Sequence, residues 1–388
     1  MANELTFGQL STILNSIYNQ ATGRVALTVT DTNSFVSVAT TTLNTGYDNV
    51  INAISQVLSR TIFSIRPYNA RFRGLMVDNQ RYGNHVRKIN YADKPFENDA
   101  RIPLTDGVSV DQQVVNKPDV VQTNWYGTQA YEKSLTIFRD QLDVAFSGPD
   151  EFGRFVSGTL SNVSDMLEQA REVTARMILA NMICGLSLNN GDNVIHLLTE
   201  YNTLTGQELT STTVYDPANY PAFMKWVYGR VADLSDLMQD RSMIFHQTIN
   251  GKPIMRHTPY ARQRVYLYSK EQYSYTANVL SDVYHDNFIR YADYQPVSFW
   301  QSIETRDTVN TTPSIMQENG VVVQAGNTTV DKIFGIIMDE EFCGYTTVNQ
   351  WSAPAPFNAK GGYSNTFWHE THRYWGDYTE NAILLLLD

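Results

Sequence analysis

The chain has 388 residues, of which 40 are acidic and 29 are basic, so its formal net charge at pH 7 is −11. A protein that grips nucleic acid over a broad face needs clustered Lys and Arg, and this balance argues against that role. Hydrophobic residues make up 42% of the chain and aromatic residues 12%, which is enough apolar material for a core and excludes disorder over the whole length.

The N-terminal part of the chain predicts amphipathic helices. Apolar residues recur at helical spacing from Phe7 to Tyr18 and again from Val50 to Leu58. The Thr-rich stretch Thr28–Thr45 between them is predicted to be a loose connector. Two short helices joined in this way bury little of their apolar faces on each other. We therefore expect them to pack on another surface, in this chain or in a neighbouring one. No signal peptide is predicted, because the first residues lack a basic stretch followed by an apolar one.

The segment from Pro67 to Thr123 predicts a projecting β-hairpin. It contains scattered Gly, Pro and charged residues, little helical periodicity, and an extended run at Val108–Val115. A structureless loop of this length is uncommon inside a compact domain, which favours a projecting arm. The first part of the segment is basic. Its cationic side chains, counted from the residue just before it, are Arg66, Arg71, Arg73, Arg81, Arg87 and Lys88.

The clearest helix prediction covers residues 149–186. Apolar positions follow steps of three and four from Phe152 to Ile183, Pro149 suits a first helical turn, and Gly185 with the turn residues Asn189–Gly191 indicates the end. Beyond it, a helix is predicted at Pro221–Asp240 and strands at Val265–Tyr268, Val321–Ala325 and Ile333–Met338, and the chain ends in the apolar run Ala382–Leu387. Helices and strands are segregated along the chain, so the predicted fold class is α+β.

Several residues invite a chemical interpretation that their context does not support. His369 and His372 are separated by three positions, whereas the helical zinc motif needs four, and on the predicted strand they point to opposite faces. Asp339–Glu341 follow an apolar strand and could carry catalytic carboxylates, but a solvated turn is the favoured interpretation. Cys343 is predicted to be a buried, inert thiol. No catalytic, cofactor-binding or metal site is therefore predicted.

The last part of the chain carries a recognisable pattern. It reads FNAKGGY at Phe357–Tyr363, FWHETHRY at Phe367–Tyr374 and YTENAI at Tyr378–Ile383. This ending, together with the order of predicted elements, resembles the major capsid proteins of tailed double-stranded DNA bacteriophages, which have the Hong-Kong-97-type fold. Among them, the ending is most similar to that of small short-tailed phages.

The resemblance implies a division of the chain into named parts. They are an N-terminal arm at 1–66, an extended E-loop at 67–123, a peripheral (P) domain at 124–188 and 346–381 with the spine helix at 149–186, an axial (A) domain at 189–345, and a C-terminal strand near the A domain at 382–388.

The resemblance also implies a function. The chain would self-assemble into pentamers and hexamers of an icosahedral head that encloses double-stranded DNA without sequence-specific binding, with no membrane, enzyme activity or cofactor. It would be assembled in the host cytoplasm and remain in the virion. Expected partners are further copies of the chain, a portal, and a separate scaffold protein, since no long helical extension precedes the arm. The alternatives are an encapsulin-like nanocompartment shell that loads a protein cargo and, less favoured, a cytosolic enzyme with a site at Asp339–Glu341 or His369–His372.

Contacts between subunits are expected at two groups of residues. The first group, Phe7, Leu10 and Ile13, lies on the arm and would contact a neighbouring subunit. The second is the basic group Arg66, Arg71, Arg73, Arg81, Arg87 and Lys88, which is predicted to dock against an acidic surface across or within capsomers. The alternative for this second group is a solvated, charged hairpin.

Overall fold

The computed structural model describes residues 7–23, 28–61, 71–77, 85–94, 104–110, 113, 115, 117–189, 191–271, 273 and 294–388. Contacts divide the chain into two units. Unit 1 contains the described residues within Met1–Gly83, Thr128–Thr174 and Tyr345–Arg373, and unit 2 contains those within Asn84–Gly127, Ala175–Gly344 and Tyr374–Asp388. Arg66 and Arg81 of the predicted basic group lie outside the described residues.

Helices and strands are numbered in chain order. The helices are α1 (Phe7–Thr22), α2 (Thr32–Leu43), α3 (Tyr47–Thr61), α4 (Arg139–Ala145), α5 (Pro149–Asn189), α6 (Leu197–Thr205) and α7 (Tyr220–Leu237). The strands are β1 (Val86–Tyr91), β2 (Val120–Trp125), β3 (Gly127–Phe138), β4 (Val194–His196), β5 (Gln263–Tyr268), β6 (Tyr294–Val297), β7 (Val309–Thr311), β8 (Ser314–Met316), β9 (Val322–Gln324), β10 (Thr328–Val330), β11 (Ile333–Asp339), β12 (Cys343–Pro354), β13 (Tyr363–Gly376) and β14 (Ala382–Leu386). No described helix has both the length and the apolar character needed to cross a membrane.

Helix α2 corrects the prediction of a loose connector at Thr28–Thr45. The Asp31 carboxylate accepts a hydrogen bond from the backbone N–H of Ser34 at 2.7 Å, and the Ser34 hydroxyl accepts one from the Asp31 N–H at 2.8 Å. This reciprocal pair is a capping box, which satisfies backbone groups that a helix start leaves open. Phe35 and Val38 are then buried on one face. Capping and burial therefore outweigh the low helix propensity of the Thr residues.

The arm helices are covered by their own chain. They share one core with the first turns of α5 and with Trp368, and Phe35 packs edge-on against Phe152 with the ring centroids 5.6 Å apart. Leu10 and Ile13 are only 5% and 8% exposed. Both residues thus find an apolar surface within unit 1, and their contact with a neighbouring subunit stays a prediction. Phe7 is 39% exposed and keeps surface for a neighbour.

The sheet of unit 1 has three strands in the order β12, β13, β3. Burial alternates along β13, so that Ser364, Thr366 and Trp368 face inward and the residues between them are more exposed. This alternation is what a sheet packed on one face requires. Trp368 belongs to the core formed with the helices.

Unit 2 is built around a mixed five-stranded sheet in the order β4, β14, β11, β5, β6. Strand β11 is antiparallel to both β14 and β5, whereas β14 pairs with β4 and β5 pairs with β6 in parallel. Every residue of β11 and β14 is buried, and apolar residues of α6 and α7 share a core with the sheet. The predicted strands at Val265–Tyr268, Val321–Ala325 and Ile333–Met338 correspond to β5, β9 and β11, the apolar run Ala382–Leu387 contains β14, and the predicted helix at Pro221–Asp240 corresponds to α7.

Strands β1 and β2 form a separate antiparallel ribbon in unit 2. The register pairs Val86 with Trp125 at one end and Tyr91 with Val120 at the other. The segment between them, residues 92–119, leaves the ribbon at Tyr91 and returns at Val120; we call it the excursion. Its described part at Val108–Val110 is irregular, so the extended run predicted there is not a strand.

Helix α5 runs from Pro149 to Asn189, three residues beyond the predicted end at 186. It continues through Gly185, where a side chain would collide with its surroundings. A Cβ atom on Gly185 would overlap the Tyr378 hydroxyl and lie 2.7 Å from its Cζ atom. Gly185 thus marks a close approach of Tyr378 to the helix and not the helix end.

This close approach predicts opposite outcomes for the same substitution at two points of one helix. Gly185→Ala is expected to lower the free energy of unfolding by about 1–3 kcal/mol, since overpacking outweighs the gain in helix propensity. Gly158→Ala is the matched control. An added Cβ there meets nothing within 4 Å, and the substitution is expected to stabilise by up to about 1 kcal/mol. Denaturant unfolding of both variants measures the two effects, and equal shifts would contradict the assignment.

Candidate inter-subunit surface

The ribbon of β1 and β2 has two unlike faces. Arg87, Ile89 and Tyr91 alternate along β1 with Lys88 and Asn90, and the first three are exposed while Asn90 is buried. On β2 the residues opposite the exposed three, Asn124, Gln122 and Val120, are exposed as well. Alternation of side chains across a strand therefore gives the ribbon one face toward its own unit and one face toward solvent.

Lys88 anchors the inward face through a cluster of carboxylates. Its Nζ atom lies 3.0 Å from Asp377 Oδ2 and 3.1 Å from Glu341 Oε2, and it also contacts Glu380 Oε1. Asp377 and Glu380 are nearly fully buried. Two buried carboxylates need compensating charge, and Lys88 supplies it together with Arg256, whose Nη2 atom lies 2.9 Å from Glu380 Oε1.

Electrostatics favour the charged forms of Lys88 and Glu341, whereas burial raises the pKa of Glu380 above its ordinary value. Burial acts against the ammonium of Lys88, but attraction to Asp377 and Glu380 outweighs it and raises the Lys88 pKa above its ordinary value. Burial likewise acts to raise the pKa of Glu341, yet Lys88 and Arg262 hold that pKa below its ordinary value. The stability that depends on the charge of Lys88 is therefore present at neutral pH and is lost as the pH rises through its raised pKa, whereas protonation of the carboxylates weakens the cluster at acidic pH.

The acidic turn after β11 is part of the same charged region. Arg262 lies 3.0 Å from Glu340, 3.4 Å from Asp339 and 2.5 Å from Glu341. Asp339 is buried and also accepts a hydrogen bond from the Thr258 hydroxyl at 2.9 Å. The interpretation of Asp339–Glu341 as a solvated turn is therefore wrong for Asp339. Its carboxylate is paired with Arg262 and accepts a hydrogen bond from the Thr258 hydroxyl.

The start of the excursion is anchored next to this cluster. The backbone N–H of Asp93 donates to the Pro253 carbonyl at 2.8 Å, and its carboxylate accepts from the Met255 N–H at 2.6 Å and pairs with Arg241. At the other end of the excursion, Lys252 Nζ lies 3.7 Å from Asp119 Oδ1. Both ends of the excursion are thus held against the same part of unit 2.

The outward face of the ribbon and the excursion carry uncovered apolar side chains. On the ribbon, Ile89 is 49% exposed, Tyr91 66% and Val120 44%. In the described part of the excursion, the exposed apolar residues are Leu104, Val108, Val110 and Val115. Several exposed apolar side chains on neighbouring parts of the chain are typical of an interaction surface.

The predicted basic group is separated by the fold. Arg87 and Lys88 lie on opposite faces of β1, with Arg87 exposed and Lys88 bound to carboxylates of its own subunit. Arg71 is exposed in unit 1, and the Arg73 side chain lies outside the described part of the structure. For Lys88, the docking onto an acidic surface takes place within the chain. The carboxylates concerned lie some 290 positions later in the sequence, and no local pattern links them to Lys88.

The two histidines have structural surroundings. Strand β13 places His369 and His372 on opposite faces, as predicted. His372 is fully buried, with Nδ1 3.0 Å from Thr174 Oγ1 and Nε2 3.0 Å from Glu370 Oε1. Arg171 Nη2 also lies 3.0 Å from Glu370 Oε1. Burial opposes ionisation of Glu370, but the hydrogen bond from His372 and the charge of Arg171 lower its pKa. This row resembles a hydroxyl–imidazole–carboxylate relay, yet Thr174, His372 and Glu370 are too deeply buried to meet a substrate.

The cysteine thiols are buried as well. Burial raises the pKa of Cys343 to about 12 and that of Cys184 to about 11, so both are protonated at neutral pH. This agrees with the prediction of an inert thiol at Cys343. Among the residues that the structure describes, no group of three or more His, Cys, Asp or Glu side chains could hold a metal ion.

The anchoring role of Lys88 leads to a prediction about stability. Lys88→Met leaves Asp377 and Glu380 without their shared cation and is expected to lower the free energy of unfolding by about 3 kcal/mol at pH 7. The difference from the natural protein is expected to shrink near about pH 4, where carboxylates take up protons. Arg87→Met, on the exposed face of the same strand, is the control and is expected to stay within about 0.5 kcal/mol. Denaturant unfolding at the two pH values measures both, and equal losses for the two variants would contradict the anchor.

Comparisons with solved structures place this fold among phage capsid proteins. A chain from the capsid structure of Staphylococcus phage Andhra superposes with a TM-score of 0.54 at 11% sequence identity, covering 84% of this chain and 86% of that one. A chain from the structure of the head fiber and inner core protein of native bacteriophage P68 superposes with a TM-score of 0.50 at 12% identity, covering 82% and 85%. No curated protein sequence matches significantly.

Sequence comparison identifies the family more directly. The family model described as the Phi29-like phage major capsid protein matches residues 10–386, which is nearly the whole chain. The mixed helix and sheet architecture and the shared fold agree with this match. The chain belongs to the Phi29-like phage major capsid protein family.

Proposed function

We propose that this capsid protein assembles into pentamers and hexamers that close into an icosahedral head around double-stranded DNA, with the ribbon and excursion of each subunit lying on the next subunit. Membership in the major capsid protein family supports the shell itself. The observation that carries the arrangement of subunits is the apolar outward surface at Ile89, Tyr91 and Val120.

The anchored ribbon is suited to this role because only one of its faces is occupied. Its inward face is held by Lys88, and its outward face stays exposed at Ile89, Tyr91 and Val120. Burying apolar surface contributes about 25 cal/mol per Å², and a contact repeated by symmetry stabilises a shell even where each interface is modest. The exposed edges of a two-stranded ribbon are also unfavourable unless another chain covers them.

Further contacts are proposed for the arm and the basic group. Phe7 is exposed at the start of α1, and Arg71 and Arg87 are exposed cations. The chain as a whole is acidic, with a net charge of −11, so a neighbouring copy can offer carboxylates to these cations. We extend the same proposal to Arg66, Arg73 and Arg81 on their position in the sequence.

The parts of the fold are proposed to follow the capsid scheme. Unit 1 takes the place of the P domain, with the spine helix in α5, and the sheet of unit 2 takes the place of the A domain, with the C-terminal strand β14 inside it. The ribbon and excursion are the E-loop, and helices α1 to α3 are the arm. The divisions of the chain at residues 66, 123, 188, 345 and 381 belong to this proposal.

The charge of the chain suits a container for DNA. An acidic wall does not bind phosphates strongly, so the genome can slide past it during packaging. The proposed partners are a portal and a separate scaffold protein, the proposed place of assembly is the host cytoplasm, and the protein has a structural and not an enzymatic role.

Assembly of the full chain tests this function. We expect the purified protein to form closed shells or curved sheets, seen by size-exclusion chromatography and electron microscopy. Tyr91→Asp is expected to abolish assembly while leaving the far-ultraviolet circular dichroism unchanged, because it places a charge in the contact between subunits.

Leu204→Asp is the matched control. Leu204 lies on α6, is 69% exposed, and is not part of the ribbon. We expect this variant to assemble like the natural protein. A small, monodisperse species at every concentration of the natural protein would refute the shell, and normal assembly of Tyr91→Asp would refute the ribbon contact.

A further inference from the structure

Unit 2 contains a cleft that runs along strand β2. Its volume is about 710 Å³, and β2 forms one wall over its whole length. Among the other residues that line it are Met177 and Met182 of α5 and Met316 of β8. Lys252 is also among them and is the one lysine or arginine in the lining. Methionine side chains adapt to differently shaped apolar partners, so this lining can accept a side chain that the subunit itself does not supply.

The edge of β2 that faces away from β1 is open. The Ala92 N–H donates to the Asp119 carbonyl at 2.9 Å, which makes these two residues a hydrogen-bonded pair. The register of the ribbon repeats such a pair at every second residue. In an antiparallel pair, the residues between these hydrogen-bonded pairs direct their N–H and C=O groups outward. These residues are Val120, Gln122 and Asn124, and all three line the cleft. Within the described part of the chain, they have no main-chain partner at that edge.

A segment of the excursion has the complementary properties. A turn closed by the Val108 N–H and the Thr105 carbonyl, with Gly107 at φ 81°, is followed by Val108, Ser109 and Val110. The two valines are 65% and 51% exposed, and the segment forms no strand in its own chain. Alternation of apolar and polar residues is the pattern of a strand that buries one face. A strand added to an open edge gains main-chain hydrogen bonds for affinity and apolar contacts for specificity.

Charge also favours this pairing. Asp106 is the one acidic residue in the described stretch 104–110, and it is exposed. Lys252 at the cleft is 33% exposed in its side chain and faces only Asp119 at 3.7 Å among the ion pairs of the described residues. An added strand that ends beside Lys252 would bring Asp106 close to this cation.

We propose that residues Val108–Val110 of one subunit add as a short strand to the open edge of β2 in the next subunit, with the two valines contacting the methionines of the cleft. The inference rests on the proposed function, since it names where the excursion of a neighbour lands. The donor segment and the acceptor cleft are different surfaces of the same chain. Such a heterologous contact closes into a ring when repeated around a symmetry axis.

Site-directed cross-linking tests this contact. Subunits carrying only Val108→Cys and subunits carrying only Met177→Cys are mixed, allowed to assemble, and treated with a short bis-maleimide. Met177 is 41% exposed and lines the cleft. We expect a covalent dimer that needs both variants, with the cross-linked peptides identified by mass spectrometry. A single chain that carries both substitutions is expected to give a ladder of oligomers.

Two controls define the background. The natural protein is expected to give no product, because Cys184 and Cys343 are buried. Val108→Cys mixed with Leu204→Cys, which is exposed outside the cleft, is also expected to give none. A product confined to single chains in the doubly substituted protein would overturn the inference, since the segment would then fill its own cleft.

The outcomes separate this inference from the shell. Shells without the cross-link overturn the strand addition and leave the proposed function standing. A cross-linked dimer without shells supports the strand addition and refutes the shell. If neither shells nor the cross-link is observed, both the strand addition and the proposed function are refuted. As a second measurement, Val110→Asp is expected to abolish the Val108→Cys cross-link, whereas Ser109→Ala, on the opposite face of the same segment, is expected to retain it.

Discussion

The contact between Lys88 and its buried carboxylates is the interaction on which the ribbon of β1 and β2 depends. A two-stranded ribbon is marginal by itself, because it has little apolar surface to bury and leaves two edges open. Lys88 converts this ribbon into an extension of unit 2 by neutralising Asp377 and Glu380. Removing one partner of such a cluster lowers the free energy of unfolding by more than the intact cluster contributes to it, because a buried charge is left unpaired. The ribbon therefore cannot detach without leaving buried carboxylates uncompensated.

Anchoring one face determines what the other face can do. Because side chains alternate along β1, fixing Lys88 inward turns Ile89 and Tyr91 outward. Asp93 then sets the direction in which the excursion leaves the ribbon, through its bonds to Pro253 and Met255. A capsid subunit needs contact residues that hold their position before a neighbour arrives, since ordering a mobile segment reduces the affinity. In the proposed arrangement of subunits, the internal ion cluster therefore serves the external contact.

The sequence was most informative where a local pattern decides the structure. Helix α5 and strands β5 and β11 follow from local apolar patterns, and the opposite orientations of His369 and His372 follow from the strand repeat. It was least informative where a distant contact decides. The Thr-rich stretch conceals helix α2, because the low helix propensity of Thr is outweighed by the cap at Asp31 and the burial of Phe35, which depend on the folded structure. Leu10 and Ile13 were expected on a neighbour because the start of α5, more than 100 residues later, could not be placed against them.

The basic group shows that adjacent charged residues on a strand do not form one binding surface. Arg87 and Lys88 are adjacent in sequence, yet one is exposed and the other neutralises buried carboxylates of its own subunit. The strand repeat alone requires this separation, since consecutive side chains on a strand never share a face. The net charge of −11 follows the same logic. Part of the acidic excess is held inside unit 2 by Lys88, Arg256 and Arg262, so only the remaining surface carboxylates can meet the exposed cations of a neighbour.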